Sequence, residues 1–152
     1  GCKRIIHING PIELETPAQL RRKAYEDLVE NPITYELSKP FDEEEQILII
    51  KKIFEEHPET DGIFASDDMI AASCLKVARE LQINVPEQLK IVGYDGTKTV
   101  MNLLPQLTTI KQPIEDIAKT AVSKLLELIN KSKTSGPLEI RLPVQLLING
   151  TT

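Results

Sequence analysis

The feature that most constrains this chain is an alternation. Short β-branched apolar runs at residues 3–9, 33–37, 61–65 and 89–94 are separated by three stretches of helical periodicity. Parallel strands need long crossovers, usually helical, and strands that are apolar on both faces need cover on both faces. The predicted fold class is therefore α/β: an open, Rossmann-like parallel sheet with helices on both faces and right-handed crossovers. At 152 residues the chain is long enough for one domain with a sizeable core.

The residues between these runs punctuate them. Asn9-Gly10-Pro11 ends the first run. Thr16 is placed to cap a helix that starts at Pro17 and continues to about Glu30, with Leu20, Ala24, Leu28 and Val29 inward. Asn31-Pro32 stops it. Asp42 with Glu45 reads as a capping box for a second helix, whose shared face is Ile47, Ile50, Lys51 and Phe54, and His57-Pro58 closes it. Ser66 or Asp67 caps a third helix with inner face Ile70, Ala71, Cys74, Leu75, Ala78 and Leu81, and Val85-Pro86 breaks the chain before the fourth run. After Asp95 the pattern changes. Residues 100–107 are apolar without strict alternation, and 107–110 are extended. A helix runs from Pro113 to about Asn130, with Ile114, Ile117, Ala118, Ala121, Leu125, Leu128 and Ile129 on its apolar face. A loop at 131–136 and a strand-like stretch at 138–148 follow.

Composition excludes some functions. With a net charge of −5, the chain is not itself a surface that holds nucleic acid, which needs clustered Lys and Arg. Its two cysteines, Cys2 and Cys74, form no CxxC pair or metal-ligand spacing; they read as free thiols in a reducing compartment, so a cytoplasmic location is expected. No apolar stretch approaches the roughly 20 residues needed to span a bilayer, so no membrane partner is expected. The chain opens on Gly1 without an initiator Met, as expected of a fragment or a trimmed chain.

In an open parallel sheet, ligands bind beyond the carboxyl ends of the strands, where helix N-termini point their positive ends at the crevice. Asn9-Gly10, Ser66-Asp67 and Asp95-Gly96 all fall at such ends. Locally, Asp67 reads as a helix cap and Asp68 as a solvated first-turn carboxylate. Asp95 is either a turn residue or part of a cleft rim. Arg21 and Arg22 read as surface charges, His7 as a packed residue, and His57 as a helix-end residue complementing the dipole. Ser66 lacks a nucleophile elbow, no histidine falls at a strand end, and no cofactor motif or metal cluster is present. Reversible binding, not enzymatic turnover, is the expected chemistry.

Several ordered motifs then carry a resemblance. Ala65-Ser66-Asp67-Asp68-Met69, Val85-Pro86-Glu87, Val92-Gly93-Tyr94-Asp95 and Pro105-Gln106-Leu107-Thr108-Thr109 resemble the small-residue strand and polar–Asp helix start, the Val-Pro-Glu turn, the Val-Gly-aromatic-Asp strand end and the Pro-x-Leu-Thr-Thr of LacI/GalR-family bacterial transcriptional repressors. The likeness covers nearly the whole chain. GCKRIIHINGP, QLRRKAYEDL and LPVQLLINGTT resemble the family's entry strand, arginine helix and closing strand. The resemblance implies a periplasmic-binding-protein-like core of two lobes. Residues 1–109 would be the C-terminal lobe, 110–143 a hinge crossing with a helix belonging to the N-terminal lobe, and 144–152 a strand returning to the C-terminal lobe. The helix-turn-helix and most of the N-terminal lobe would lie outside this chain. The long helix is then expected to leave an apolar face exposed or to pack on a neighbouring molecule.

The resemblance also implies roles. Arg21, Ser66, Asp95, Phe41 and Gln112 fall on effector-contacting positions: the arginine fork, a site often Asn in the family, the strand-end aspartate, a stacking aromatic, and a residue beside the hinge. Ile70, Ala71, Cys74, Met101, Leu103 and Leu104 fall on the homodimer interface. Ala24 stands where the family has glycine, and Asn149-Gly150 replaces its usual arginine region. The implied partners are a small-molecule effector (a sugar, sugar phosphate or nucleoside), a second copy, and operator DNA bound through the missing headpiece. A periplasmic-type sugar-binding receptor of a transporter shares the fold. The Val-Pro-Glu turn, Leu-Thr-Thr and the apolar 100–107 segment favour the repressor over that receptor; a small α/β enzyme is a third reading, disfavoured by the lack of a catalytic constellation.

Overall fold

In a computed structural model, which describes residues 1–11, 17–130 and 139–152, six strands form one sheet in the order β2-β1-β3-β4-β5-β6. The strands are β1 (Ile5–Asn9), β2 (Ile33–Glu36), β3 (Gly62–Ala65), β4 (Lys90–Asp95), β5 (Thr108–Lys111) and β6 (Gln145–Leu147). The helices are α1 (Pro17–Leu28), α2 (Glu43–Glu56), α3 (Asp68–Glu80), α4 (Lys98–Leu103) and α5 (Ile114–Ile129). β1 to β5 pair in parallel; β6 runs antiparallel to β5, with Ile110 opposite Leu146. The expected parallel sheet is thus mixed at one edge. The expected cap Thr16 and the 131–136 loop lie outside the described residues, and the strand-like 138–148 stretch contributes only the three residues of β6.

The core fills the face beneath α2 and α3. Ile6, Ile8, Ile63, Ala65 and Ile91 of the strands meet Ile50, Ile53, Ile70, Ala71, Cys74, Val77 and Ala78 of these helices, all buried. The inner face of α3 forms as the periodicity predicts, except that Leu81 is exposed and Val77 takes a core position. This corrects one expectation. Ile70, Ala71 and Cys74 are 0% exposed and cannot reach a partner, because the sheet already occupies their face of α3. Of the other implied interface residues, Met101 is half-buried, Leu104 packs against the core and Leu103 stands exposed.

α1 covers the opposite face and departs from its predicted orientation. Leu20 and Leu28 point to solvent, and Tyr25 is the buried residue. The cause is polar. The Tyr25 hydroxyl accepts from Ile33 N–H at 2.9 Å and lies 2.8 Å from Ile5 O and 3.0 Å from Ile33 O, so it ties the helix to β1 and β2. A buried phenol needs such partners, and satisfying them rotates the leucines outward. α2 forms half of its expected capping box. Asp42 accepts from Glu44 N–H and Glu45 N–H. The Glu45 carboxylate turns back instead to the Ser38 and Lys39 amides.

The two ends of the chain's last segment differ. α5 has no buried residue, and Ile114, Leu125, Leu128 and Ile129 are all at least half exposed on an apolar face. The C-terminus, in contrast, is pinned. Thr151 Oγ1 donates to Ile91 O at 2.7 Å and accepts from Thr108 N–H at 2.9 Å, joining β4 and β5. Thr151→Val leaves the buried Thr108 N–H without an acceptor. It should lower unfolding free energy by about 1–3 kcal/mol in urea titrations.

Candidate functional site

The carboxyl ends of β1, β3 and β4 bring polar residues together. Ser66 N–H donates to Ile8 O at 2.9 Å, which sets the β3 tip beside the β1 tip. Asp67, in extended conformation, caps α3 by accepting from Ile70 N–H at 2.8 Å. Burial pushes the Asp67 carboxyl above the usual carboxylate range and the charge of Asp95 adds to this, while the N–H groups of the helix start and the charge of Arg21 pull it back. The guanidinium of Arg21, on α1, lies 4.3 Å from the centre of the Tyr94 ring, one residue before Asp95. Arg21, Ser66, Asp67 and Asp95 therefore share one region, although they come from three elements far apart in sequence.

Asp95 is held in an unusual conformation. Its φ of 122° lies in a region that L side chains rarely adopt. Two bonds to Gln112 hold it there. Gln112 N–H donates to Asp95 O at 3.0 Å, and Gln112 Nε2 donates to Asp95 Oδ1 at 2.6 Å. Strain of this kind persists where surrounding bonds over-determine it, commonly at binding sites.

Asp68 overturns its sequence reading. It is 2% exposed, not solvated. Oδ2 accepts from Gly96 N–H at 2.8 Å and Oδ1 accepts from the Thr109 hydroxyl at 2.6 Å, so one carboxylate joins α3, the β4 end and β5. Burial raises its pKa; the two hydrogen bonds oppose that shift, and the charges of Asp95 and Asp67 add to it. Two glycines make room for this arrangement. A Cβ on Gly93 would collide with the Asp68 carboxylate, and Gly96, at φ 59°, has Lys111 Cα only 2.7 Å from where a Cβ would stand.

The buried polar atoms that lack partners among the described residues belong to His7, Asn9, Arg21 and Thr34. Asn9, at the β1 tip, is 0% exposed, and neither its amide nitrogen nor its amide oxygen has a partner. His7 packs as expected. Its ring stacks on Phe64 at 4.8 Å and lies 5.3 Å from Tyr25, and Nδ1–H donates to Phe64 O at 2.8 Å. Burial lowers its pKa to about 4.

Of the expected ligand residues, Arg21, Asp95 and Gln112 gather at this end. Ser66 is there too, but it is 3% exposed and offers little surface. Phe41 stands 92% exposed in the turn before α2, without a ring contact to the others. Asn9 and Asp67 stand at the same end, where the sequence reading placed them as strand-end residues without assigning either a ligand contact. Their signal was position: Asn9 directly follows Ile8 at the end of β1, and Asp67 stands two residues beyond Ala65, the last residue of β3. A neighbouring cavity of about 640 Å³ opens beside the start of α5 and shares Gly96 and Gln112 with the cluster. Among the described residues no three His, Cys, Asp or Glu side chains are arranged to hold a metal ion, and no helix is long and apolar enough to cross a membrane.

In an open α/β sheet, strand tips that gather an arginine, carboxylates and amides in this way are the usual place for a ligand. The periplasmic binding protein-like domain model matches residues 1–152, and the chain belongs to that family. It is similar to a sucrose operon repressor of Streptococcus mutans, 40% identical over 147 residues, covering 97% of this chain and 45% of that protein. It is also similar to a ribose operon repressor of Halalkalibacterium halodurans, 35% identical over 154 residues, covering 100% of this chain and 46% of that protein. The chain thus spans about half the length of these curated relatives. Among solved structures, it resembles a periplasmic binding protein/LacI transcriptional regulator from Alkaliphilus metalliredigens complexed with D-xylulofuranose. That match has a TM-score of 0.80 and 32% identity, covering 100% of this chain and 57% of that one. The LacI-type resemblance in the motifs is thereby shown.

Two outcomes follow from the site's buried groups. Asp68→Ala should cost about 2–3 kcal/mol, because two donors lose their acceptor. Asp68→Asn, which can still serve Gly96 N–H and the Thr109 hydroxyl, should cost clearly less in the same urea titration. His7 contributes stability in its neutral form, in full above its unfolded value near 6.5, and this is lost as pH falls from there toward about 4. The shift corresponds to about 3 kcal/mol. His7→Phe should remove that part of the acid sensitivity, read as a flatter unfolding midpoint between pH 7 and 4.5.

Proposed function

We propose that this chain is the C-terminal part of the effector-binding core of a bacterial transcriptional regulator of the LacI/GalR type, sensing a sugar-like small molecule. The observation that carries this reading is the gathering of Arg21, Asp95 and Gln112 at one end of the sheet. An arginine fork and carboxylates suit the paired hydroxyls of a sugar. The repressor relatives and the sugar complex of a relative support it.

On this reading residues 1–109 form the C-terminal lobe, 110–143 carry the hinge crossing and a helix of the N-terminal lobe, and 144–152 return to the C-terminal lobe. The uncovered apolar face of α5 supports that division, since such a face is built to pack on something. The whole regulator is cytoplasmic, binds its effector without chemical turnover, and pairs as a homodimer through Met101, Leu103 and Leu104, to which exposed Met69 is added. A headpiece outside this chain reads operator DNA. Effector binding shifts the equilibrium between lobe arrangements, and with it the spacing of the two DNA-reading heads.

The test is calorimetric titration of the full-length protein with sucrose, ribose and nucleosides, repeated with Arg21→Ala and Asp95→Ala. Each substitution should weaken binding of the effector about 10- to 100-fold, the size of a lost charge-assisted hydrogen bond. Affinity unchanged by Asp95→Ala would remove that residue from the site.

A further inference from the structure

The turn between β2 and α2 is tied down at almost every residue. It runs through Ser38, Lys39, Pro40, Phe41 and Asp42. It lies at the carboxyl end of the sheet: Leu37 N–H donates to Asn9 O at 2.8 Å, and a Cβ on Gly10 would stand 3.5 Å from Pro40 Cβ. Asp42 N–H donates to Lys39 O at 2.9 Å. The Glu45 carboxylate accepts from Ser38 N–H at 3.0 Å, from the Ser38 hydroxyl at 2.6 Å and from Lys39 N–H at 2.6 Å. The ring of Pro40 fixes its own φ.

The tie to Pro40 comes from the interior. Gln46 stands on α2, one turn before Ile50, and is 4% exposed. An aliphatic side chain would suit such a position, because a buried amide is costly unless its groups are satisfied. Here Oε1 accepts from the Ser73 hydroxyl of α3 at 2.6 Å, and Nε2 donates to Pro40 O. Ser73 is itself buried. Its hydroxyl takes the amide oxygen and thereby turns the amide nitrogen toward the turn. Two core-packed helices thus fix the backbone one residue before Phe41. The Phe41 ring projects from this support and is 92% exposed. One exposed ring means little by itself. This one stands at the carboxyl end of the sheet, on a backbone ordered before any ligand arrives.

We propose that Gln46 is a positioning residue: with Ser73 it holds the turn so that Phe41 is a preformed apolar platform at the rim of the site. The inference rests on the sensor reading above, with Phe41 among its ligand contacts. The effector lays an apolar face on the ring. Because the turn is already ordered, binding is spared the entropy of ordering it.

The experiment uses the full-length protein with Gln46→Met, Ser73→Ala and Phe41→Ala, and each of the first two combined with the third. The first readout needs no ligand. Chymotrypsin cleavage after Phe41, located by mass spectrometry, should speed up about fivefold in Gln46→Met and in Ser73→Ala, the population change that one lost hydrogen bond brings. Cleavage after Tyr94 should stay constant, which separates a loosened turn from a loosened fold. The second readout is calorimetric titration with ribose, sucrose and a ribonucleoside. For the compound that binds, Gln46→Met and Ser73→Ala should each weaken affinity about 3- to 10-fold. That weakening should vanish in the Phe41→Ala background, because a residue acting through the ring has no effect once the ring is gone. If Gln46→Met fails to fold, Ser73→Ala carries both readouts. Cleavage after Phe41 unchanged in the variants overturns the inference. Equal weakening with and without Phe41 overturns it too, by making Gln46 and Ser73 a structural tie alone, and leaves the sensor reading standing. No binding of any of the three compounds by the unsubstituted protein defeats the sensor reading, and the positioning role with it.

Discussion

The Asp68 carboxylate joins the start of α3, the turn after β4 and the middle of β5. Burying a carboxylate is costly unless hydrogen bonds satisfy it, and here Gly96 N–H and the Thr109 hydroxyl do so. The consequences spread outward. Gly96 held in this position sets the turn that follows Asp95, and the bonds to Gln112 then hold Asp95 at a φ of 122°. The same carboxylate leaves no space for a side chain at position 93, so the strand must pass it as glycine. On the proposed reading, a rim held this way is ordered before a ligand arrives, which reduces what the ligand must order on binding.

The two faces of the sheet are stabilised differently. Beneath α2 and α3 the contact is almost wholly aliphatic, and the isoleucines of β1, β3 and β4 interlock with both helices. Beneath α1 the contact is aromatic and polar: the His7 ring meets those of Tyr25 and Phe64, and the Arg21 guanidinium lies over Tyr94. Buried atoms without partners collect on this side, at His7, Asn9, Arg21 and Thr34. Aliphatic packing gives a stable scaffold, and the polar face supplies groups that a ligand can complete. The arrangement suits a lobe that must stay folded while its rim exchanges partners.

Much of the fold was legible because it depends on period and punctuation. The apolar runs marked β1 to β5, and the Asp67 cap and the proline stops bounded the helices to within a few residues. Which side of a helix turned inward was less legible where a polar residue decided it. Leu20 and Leu28 have the greater hydrophobicity, but the hydroxyl of Tyr25 has partners on two strands and turns α1 its own way. Asp68 failed for a related reason. First-turn acids are usually solvated, and nothing near it in sequence shows that Thr109, 41 residues later, will stand against it. Ile70, Ala71 and Cys74 were correctly read as the inner face of α3, yet for that reason they could not also be an outer contact surface.

From its residues alone, the chain determined its strand–helix alternation, its helix caps and breaks, and the family motifs that place Arg21 and Asp95 among the polar tips of the strands. These depend on local backbone preference and on spacing, which a sequence displays directly. Tertiary structure alone decided that Asp68 is a buried tie, that Asn9 is fully enclosed with an unsatisfied amide, that β6 runs antiparallel, and that α5 keeps its apolar face uncovered. Each of these depends on which distant groups meet when the strands pair, and burial and hydrogen-bond satisfaction are properties of that meeting, not of any one residue.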